Sequence, residues 1–172
     1  ELLGVLKWEP VIPAQLQGLC KGNFPSFFPK TNQSRVQNCY NEMAFLDNHQ
    51  HGSIEWTLEE KLDGSSISIY CNLNEDGSHE LGVCSRNMDL KLNEENKENT
   101  YVKVATESGY LEHLPELNQS LVIQGEVCGP GIQGNRYKLE KPALFVFDVY
   151  LIDQRRYATR LERWDVIKKL IN

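Results

Sequence analysis

Apolar and polar residues alternate in two stretches of the first half of the chain, a pattern typical of strands that bury one face. The alternation runs over residues 54–58 and resumes over 65–70, and residues 81–86 are predicted to form the returning strand. An Asn-Glu-Asp-Gly turn signal at 74–77 separates the second stretch from the returning strand. The pattern predicts a strand that leads towards Lys61 and then a hairpin.

Two later runs, 121–127 and 143–152, are densely apolar and rich in β-branched and aromatic residues. Such runs favour buried strands. The charged, asparagine-rich stretch 87–99 before them is predicted to be an exposed loop.

Helical periodicity is clearest over residues 160–170. Apolar residues recur there at helical spacing, at Leu161, Trp164, Ile167 and Leu170. Residues 34–46 and 100–112 are also predicted to contain helix. Strands mixed with helices in this order predict an α+β fold.

Composition narrows the class of protein further. The 172 residues are 24% charged and 40% hydrophobic, which fits one domain with a substantial core. No apolar run is long enough to span a membrane, and no signal peptide is recognisable. The five cysteines include no C-x-x-C pair, which favours free thiols in an intracellular, cytoplasmic protein.

The net charge of -6 argues weakly against a nucleic-acid partner. The distribution of charge matters more than its sum. Four arginines gather near the end of the chain, at Arg155, Arg156, Arg160 and Arg163. A local basic face is therefore compatible with the acidic total.

The strongest chemical signal is the run Glu-Lys-Leu-Asp-Gly-Ser-Ser at 60–66. An Asp-Gly turn after Lys61 would leave the lysine at the mouth of the sheet. A lysine becomes a nucleophile only as the free amine, which burial or nearby cations favour. The alternative is an ordinary hairpin with a solvated lysine.

Three further segments carry candidate binding groups. Glu126 ends a buried strand and precedes a glycine-rich loop, so its carboxylate is placed to hold a ribose hydroxyl or a divalent metal. Phe145 and Phe147 share one side of a predicted strand and could stack on a base, although core packing explains at least one of them equally well. Arg86 follows a strand and could grip a phosphate.

Together, these four segments resemble the covalent nucleotidyltransferases, a superfamily of ATP-dependent RNA ligases, DNA ligases and mRNA capping enzymes. K-x-D-G-S-S, S-R-N, G-E-x-x-G-P-G-I-Q-x-N-x-Y and F-V-F-D are most similar to the RNA-repair ligases. The upstream run at 23–38 is similar to a subgroup with an N-terminal OB domain. The resemblance covers about residues 20–152 and implies antiparallel sheets flanking an ATP cleft.

The resemblance also implies roles for individual residues. Lys61 would be the nucleophile that takes AMP from ATP in the presence of Mg²⁺ or Mn²⁺, and AMP would pass to an RNA 5′-phosphate before a 3′-hydroxyl displaces it. Glu126 would bind ribose or a metal-bound water, and Phe147, with Phe145 as second choice, would stack on adenine. The other expected nucleotide or substrate contacts are Glu60, Ser66, Arg86, Arg35 and Asn38.

Three elements of the family pattern are not recognisable in the sequence. A later glutamate strand and a strand with two triphosphate-binding lysines are expected downstream, and the OB domain is expected upstream. Residues 1–20 are therefore predicted to be a lead-in from an upstream domain, and 21–172 an adenylyltransferase domain that is incomplete at its C-terminal end.

Two alternatives remain open from the sequence. One is a DNA ligase or a capping-type guanylyltransferase, which shares the lysine chemistry. The other is a catalytically dead nucleotide- or RNA-binding module, which the missing lysine strands favour and the intact K-x-D-G disfavours.

Overall fold

A single antiparallel sheet organises the chain. The structure, a computed structural model, describes residues 11–31, 36–49 and 58–171. Within these ranges the sheet has seven strands in the order β1-β4-β3-β2-β5-β6-β7. The strands are β1 (Cys20–Asn23), β2 (Ser65–Leu73), β3 (His79–Cys84), β4 (Met88–Leu90), β5 (Leu121–Cys128), β6 (Ala143–Leu151) and β7 (Arg156–Tyr157).

Helices accompany the sheet. They are α1 (Tyr40–His49), α2 (Thr100–Glu107), α3 (Tyr110–His113) and α4 (Arg160–Leu170). Helix α4 begins with a capping box, in which the Thr159 hydroxyl accepts from the Glu162 N–H and the Glu162 carboxylate accepts from the Thr159 N–H. In the part of the chain that the structure describes, no helix has the length and apolar character needed to cross a membrane.

One face of the sheet forms the main core. Ile67, Ile69 and Ile123 are at most 1% exposed. They belong to one buried cluster with residues of three helices, namely Val102, Val104, Ala105, Tyr110, Val166 and Leu170. The sheet and helices are therefore held together by one continuous apolar layer.

The opposite face carries a smaller apolar cluster of Phe28, Tyr70, Cys84, Val122 and Tyr150. Asp89 is buried at its edge, where it accepts hydrogen bonds from Tyr70 Oη at 2.9 Å and from Cys84 Sγ at 3.7 Å. Burial raises the pKa of the Asp89 carboxyl, with these donors acting in the opposite direction.

Most predicted elements are present. The apolar runs form β5 and β6, and the helix predicted over 160–170 is α4 with the same bounds. The stretch 34–46 contains a 3-10 helix at Val36–Asn38 and then α1. The helix predicted over 100–112 is broken into α2 and α3 because Gly109 adopts a left-handed φ of 76°.

One prediction is wrong. Residues 87–99 are not simply an exposed loop, since they contain β4 and bury Asp89 and Asn96. Their polar side chains are satisfied by distant groups; the Asn96 amide, for example, donates to the Leu19 carbonyl at 3.0 Å. Residues 58–63 form no regular strand, and Leu58 is fully exposed. Apart from Leu58, the strand predicted over 54–58 lies outside the described residues.

Candidate active site

An open cleft of about 1380 Å³ lies beside the paired residues Ser66 and Glu126. Its walls come from residues 59–62 and 64–66, from β6 and from α4. Arg86, just after β3, Thr31 and Gln133 of the glycine-rich loop also line it. The cleft is therefore assembled from segments that are far apart in the sequence.

Gly64 brings the turn after Lys61 against β5. Its N–H donates to Glu126 Oε1 at 3.1 Å. A Cβ at this position would lie 2.3 Å from the Val127 carbonyl oxygen and 2.7 Å from Cys128 Sγ. Only glycine permits this close approach, which places the Lys61 segment next to Glu126.

The groups around Glu126 shift the pKa of its carboxyl in opposite directions. Burial raises the pKa of its carboxyl, and the Asp63 carboxylate acts in the same direction. The Gly64 N–H, Lys61 and Arg86 oppose that rise. A carboxylate kept partly from water, with cations near it, is suited to accept a hydroxyl hydrogen bond or to hold a hydrated cation.

The glycine-rich loop after β5 folds back onto the K-x-D-G turn. Tyr137 Oη accepts a hydrogen bond from the Asp63 N–H at 2.8 Å. The neighbouring Arg136 pairs with the Asp63 carboxylate at 3.2 Å. Two consecutive residues of the loop thus hold the backbone and the side chain of one turn residue.

Strand β6 supplies the aromatic wall. A bulge shifts the β5–β6 register, so that Gln124 pairs with Asp148 and Gly125 with Val146. Phe147 is the extra residue. Residues 145–148 consequently all line the cleft, and Phe145 remains 38% exposed.

Ser66 pairs with Glu126 across β2 and β5 and lies on the same sheet face, and Arg86 lines the same cleft. The Ser66 hydroxyl shares a hydrogen bond with the Thr31 hydroxyl. This contact ties the segment before residue 32 to the start of β2. Arg86 is exposed and lines the cleft, so its guanidinium is available to an anion.

The structure brings together most of the residues that the sequence singled out, namely Lys61, Glu60, Ser66, Arg86, Glu126, Phe145 and Phe147. Asn38 is exposed at the end of a 3-10 helix and is not part of the cleft lining. Arg35 lies outside the described residues.

Helix α4 corrects one further expectation. Its predicted apolar face does not pack into the core as a unit, because Leu161 is 78% and Trp164 67% exposed, and both line the cleft. Sequence reasoning also missed Arg163 in the cleft wall and the contacts of Arg136 and Tyr137 with Asp63. The sequence drew attention to Arg136 and Tyr137 only because they belong to the glycine-rich motif, and it gave no indication for Arg163.

The charges and shape of the cleft fit a nucleotide. Aromatic side chains can stack on a base, Lys61 and Arg86 can meet phosphates, and a carboxylate can meet ribose. Among the described residues no group of three or more His, Cys, Asp or Glu side chains is arranged around a common metal position. Mg²⁺ at phosphate sites is usually held by one or two carboxylates together with phosphate oxygens and waters, and Glu126, which lines the cleft, fits that smaller requirement.

The fold is that of the RNA ligase nucleotidyltransferases. Residues 54–172 match the family model described as RNA ligase. The chain therefore belongs to the RNA ligase family.

Solved structures of Naegleria gruberi RNA ligase are similar to this chain. A lysine-to-alanine variant with ATP and Mn shows 36% identity and a TM-score of 0.75, covering 98% of this chain and 47% of that one. A lysine-to-methionine variant with AMP and Mn shows 36% identity and a TM-score of 0.76, covering 98% and 46%. The enzyme with PPi shows 37% identity and a TM-score of 0.75, with the same coverage as the AMP complex.

The chain spans about half the length of the solved relatives it matches. The comparison with curated proteins returns no match.

Proposed function

We propose that this chain is the adenylylating part of an ATP-dependent RNA ligase, with Lys61 as the nucleophile. The observation that carries the proposal is the convergence of Lys61, Arg86, Glu126 and Phe147 on one cleft. These residues come from four separate segments. Their meeting, in a chain of the RNA ligase family, is what lysyl-AMP chemistry requires.

Each wall of the cleft has a proposed part in binding ATP. Phe147, or Phe145 beside it, stacks on adenine, and the Glu60 segment borders the base. Glu126 accepts a hydrogen bond from a ribose hydroxyl. Arg86 and Ser66 lie on the ribose and phosphate side.

The first step forms one bond and breaks one. The neutral Lys61 amine attacks the α-phosphorus of ATP, a P–N bond forms, and the bond from the α-phosphorus to the bridging oxygen breaks. Pyrophosphate leaves and a lysine proton passes to solvent. Because phosphoryl transfer depends on positioning and on neutralised charge, the tie between Gly64 and Glu126 serves the step by fixing the turn that follows Lys61.

A divalent cation fits the carboxylates beside Lys61. Mg²⁺ or Mn²⁺ would neutralise phosphate charge there, with Glu126 holding it through a water. The Mn in the structures of the Naegleria gruberi enzyme supports this proposal.

The later steps and the wider protein are proposed from the family. AMP passes to an RNA 5′-phosphate, and the 3′-hydroxyl then displaces it. Residues 21–172 are the adenylyltransferase domain, preceded by a lead-in from an OB domain and followed by triphosphate-binding lysine strands. The relatives, of which this chain spans 46–47%, have room for both additions. The buried thiols of Cys20, Cys71, Cys84 and Cys128 form no disulfide, which supports a cytoplasmic setting.

Labelled ATP tests the proposal directly. The chain is incubated with α-labelled ATP and Mg²⁺ or Mn²⁺, and then denatured. We expect label to remain on the protein, and none with GTP. Label from GTP in place of ATP would indicate a capping-type enzyme, sealing of nicked DNA in preference to RNA would indicate a DNA ligase, and ATP binding without label would indicate a binding module.

A further inference from the structure

Arg163 lies at the end of the first turn of α4 and lines the cleft. Its side chain is only 27% exposed. The guanidinium reaches both the strand that carries the aromatic wall and the segment that carries Lys61.

The first contact of Arg163 is with the β6 bulge. Phe147 has no Cα partner in β5, because its neighbours Val146 and Asp148 pair with Gly125 and Gln124. The Phe147 carbonyl accepts a hydrogen bond from Arg163 Nη1. A bulge leaves backbone groups outside the regular ladder, and the arginine satisfies one of them.

The second and third contacts are ionic. Arg163 Nη1 lies 3.5 Å from Asp148 Oδ1, and Nη2 lies 3.9 Å from Glu59 Oε1. A planar guanidinium with five N–H donors can serve a carbonyl and two carboxylates at once, whereas an ammonium is a compact charge on a flexible stem. Arg163 therefore joins the aromatic strand to the residues just before Lys61.

We propose that Arg163 is a positioning residue that fixes the adenine side of the cleft. Its hydrogen bond to the Phe147 carbonyl fixes the bulged backbone that carries the Phe147 ring. Its ion pair with Glu59 holds the Glu59–Lys61 segment on the opposite side of the cleft. The spacing between these two walls decides how well a base fits between them. This inference rests on the proposed function, since it assumes that the bound base is adenine.

The proposal predicts a loss confined to nucleoside binding. Arg163 approaches neither Lys61 nor Glu126 among its contacts, so its removal should weaken binding more than it slows the chemical step. AMP and ATP share the adenosine part. Both should therefore lose affinity by the same factor.

Arg163→Gln and Arg163→Lys test the role, and Arg156→Gln is the matched control. Arg156 anchors the first turn of the same helix through a two-pronged pair with Glu162, at 2.7 and 2.6 Å, and does not line the cleft. The affinities for fluorescent AMP and for competing ATP are measured by anisotropy. The same four proteins are then compared by thermal unfolding and by the rate of lysyl-AMP formation.

We expect Arg163→Gln to weaken AMP and ATP binding about tenfold each, and Arg163→Lys about threefold, because the lysine keeps the charge but not the fork. The KM for ATP should rise about tenfold, with less than about threefold change in the saturated rate. Arg156→Gln should lose thermal stability while its affinity for AMP stays within about twofold of the wild-type value.

Three results would overturn the role of Arg163. The first is normal AMP affinity in Arg163→Gln. The second is an equal affinity loss in Arg156→Gln, which would make the effect one of helix stability. The third is a wild-type chain that binds no AMP and forms no lysyl-AMP. Of the three results, only this one would also contradict the proposed function.

Discussion

At the residue scale, the Glu126 carboxylate is proposed to bind the nucleotide but reduces the stability of the ligand-free protein at neutral pH. Its carboxyl is partly withdrawn from water beside Asp63, and this raises its pKa despite the Gly64 N–H and two nearby cations. A group whose pKa is raised by folding favours the folded state while it is protonated. That contribution is present below the usual carboxyl value and is lost as the pH rises through the raised pKa.

Glu126→Gln should therefore stabilise the ligand-free protein at neutral pH. Glutamine keeps an oxygen for the Gly64 N–H and carries no charge to desolvate. We expect the Tm at pH 7 to rise by about 2–4 °C, the shift that about 1 kcal/mol produces in a domain of this size. The gain should shrink as the pH is lowered towards the usual carboxyl value, and ATP binding should weaken.

Thermal unfolding at several pH values checks this. A Tm below that of the wild type at neutral pH, or a gain that grows on acidification, would contradict the electrostatic description of Glu126.

Individual site residues were easier to predict from the sequence than the contacts between them. Lys61, Glu126 and Arg86 carry unusual chemistry at the ends of predicted strands, and all three line the cleft. Arg163 was not recognised as a site residue, because nothing in a helical Arg signals that a strand bulge will present a carbonyl to it.

At the scale of elements, β2 and β5 approach each other closely where the K-x-D-G turn ends. Gly64→Ala would place a methyl group against the Val127 carbonyl, at 2.3 Å before any adjustment. We expect a loss of about 1–3 kcal/mol in unfolding free energy and a displaced Lys61. Chemical denaturation measures the first and lysyl-AMP formation the second.

Gly22→Ala in β1 is the matched control. A Cβ there would meet nothing within 4 Å, so the same substitution should leave stability and activity nearly unchanged. Equal effects at the two glycines would show that steric crowding on β5 is not what Gly64 avoids.

The glycine-rich loop acts on the same turn from the other side. Tyr137→Phe removes the acceptor of the Asp63 N–H and keeps the ring. The loss of one such hydrogen bond, about 0.5–1.5 kcal/mol, should slow lysyl-AMP formation about three- to tenfold. Tyr157→Phe, on β7 and outside the cleft lining, should have no comparable effect, and an equal slowing there would argue against the contact of Tyr137 with Asp63.

Helices and strands were predictable where a local sequence pattern determines them. They were missed where contacts with distant residues determine their position or their burial. Helix α4 follows from its own periodicity, yet Leu161 and Trp164 face the cleft because the position of the helix beside β6 is a tertiary property. Strand β4 was hidden in a charged stretch, because Asp89 is satisfied by Tyr70 and Cys84 from two other strands. The Phe147 bulge has no signature in an apolar run.

At the scale of the whole molecule, the sheet separates two tasks. One face packs against helices and forms the main core, and the other carries the Phe28 and Tyr70 cluster and the paired cleft residues Ser66 and Glu126. Helix α4 belongs to the core and also forms a wall of the cleft. Residues of β2, β5 and β6 contribute to both faces. Ligand binding at the cleft should accordingly increase the stability of the entire fold.

ATP should raise the Tm of the chain. A ligand that binds only the folded state stabilises it by about 2.7 kcal/mol at a concentration 100 times its Kd. We expect a concentration-dependent increase with ATP and Mg²⁺ and little or none with GTP. A Tm unaffected by ATP up to millimolar concentrations would argue against a nucleotide site in the cleft.

Mapping AMP to a residue distinguishes Lys61 from every other candidate nucleophile. The wild type and Lys61→Arg are incubated with ATP and Mn²⁺, digested, and searched by mass spectrometry for a phosphoramidate-linked AMP. Arginine keeps the positive charge but stays protonated and offers no free amine, so we expect AMP on Lys61 of the wild type and none on the folded variant. AMP on another lysine of the wild type, or on the Lys61→Arg protein, would contradict the role proposed for Lys61.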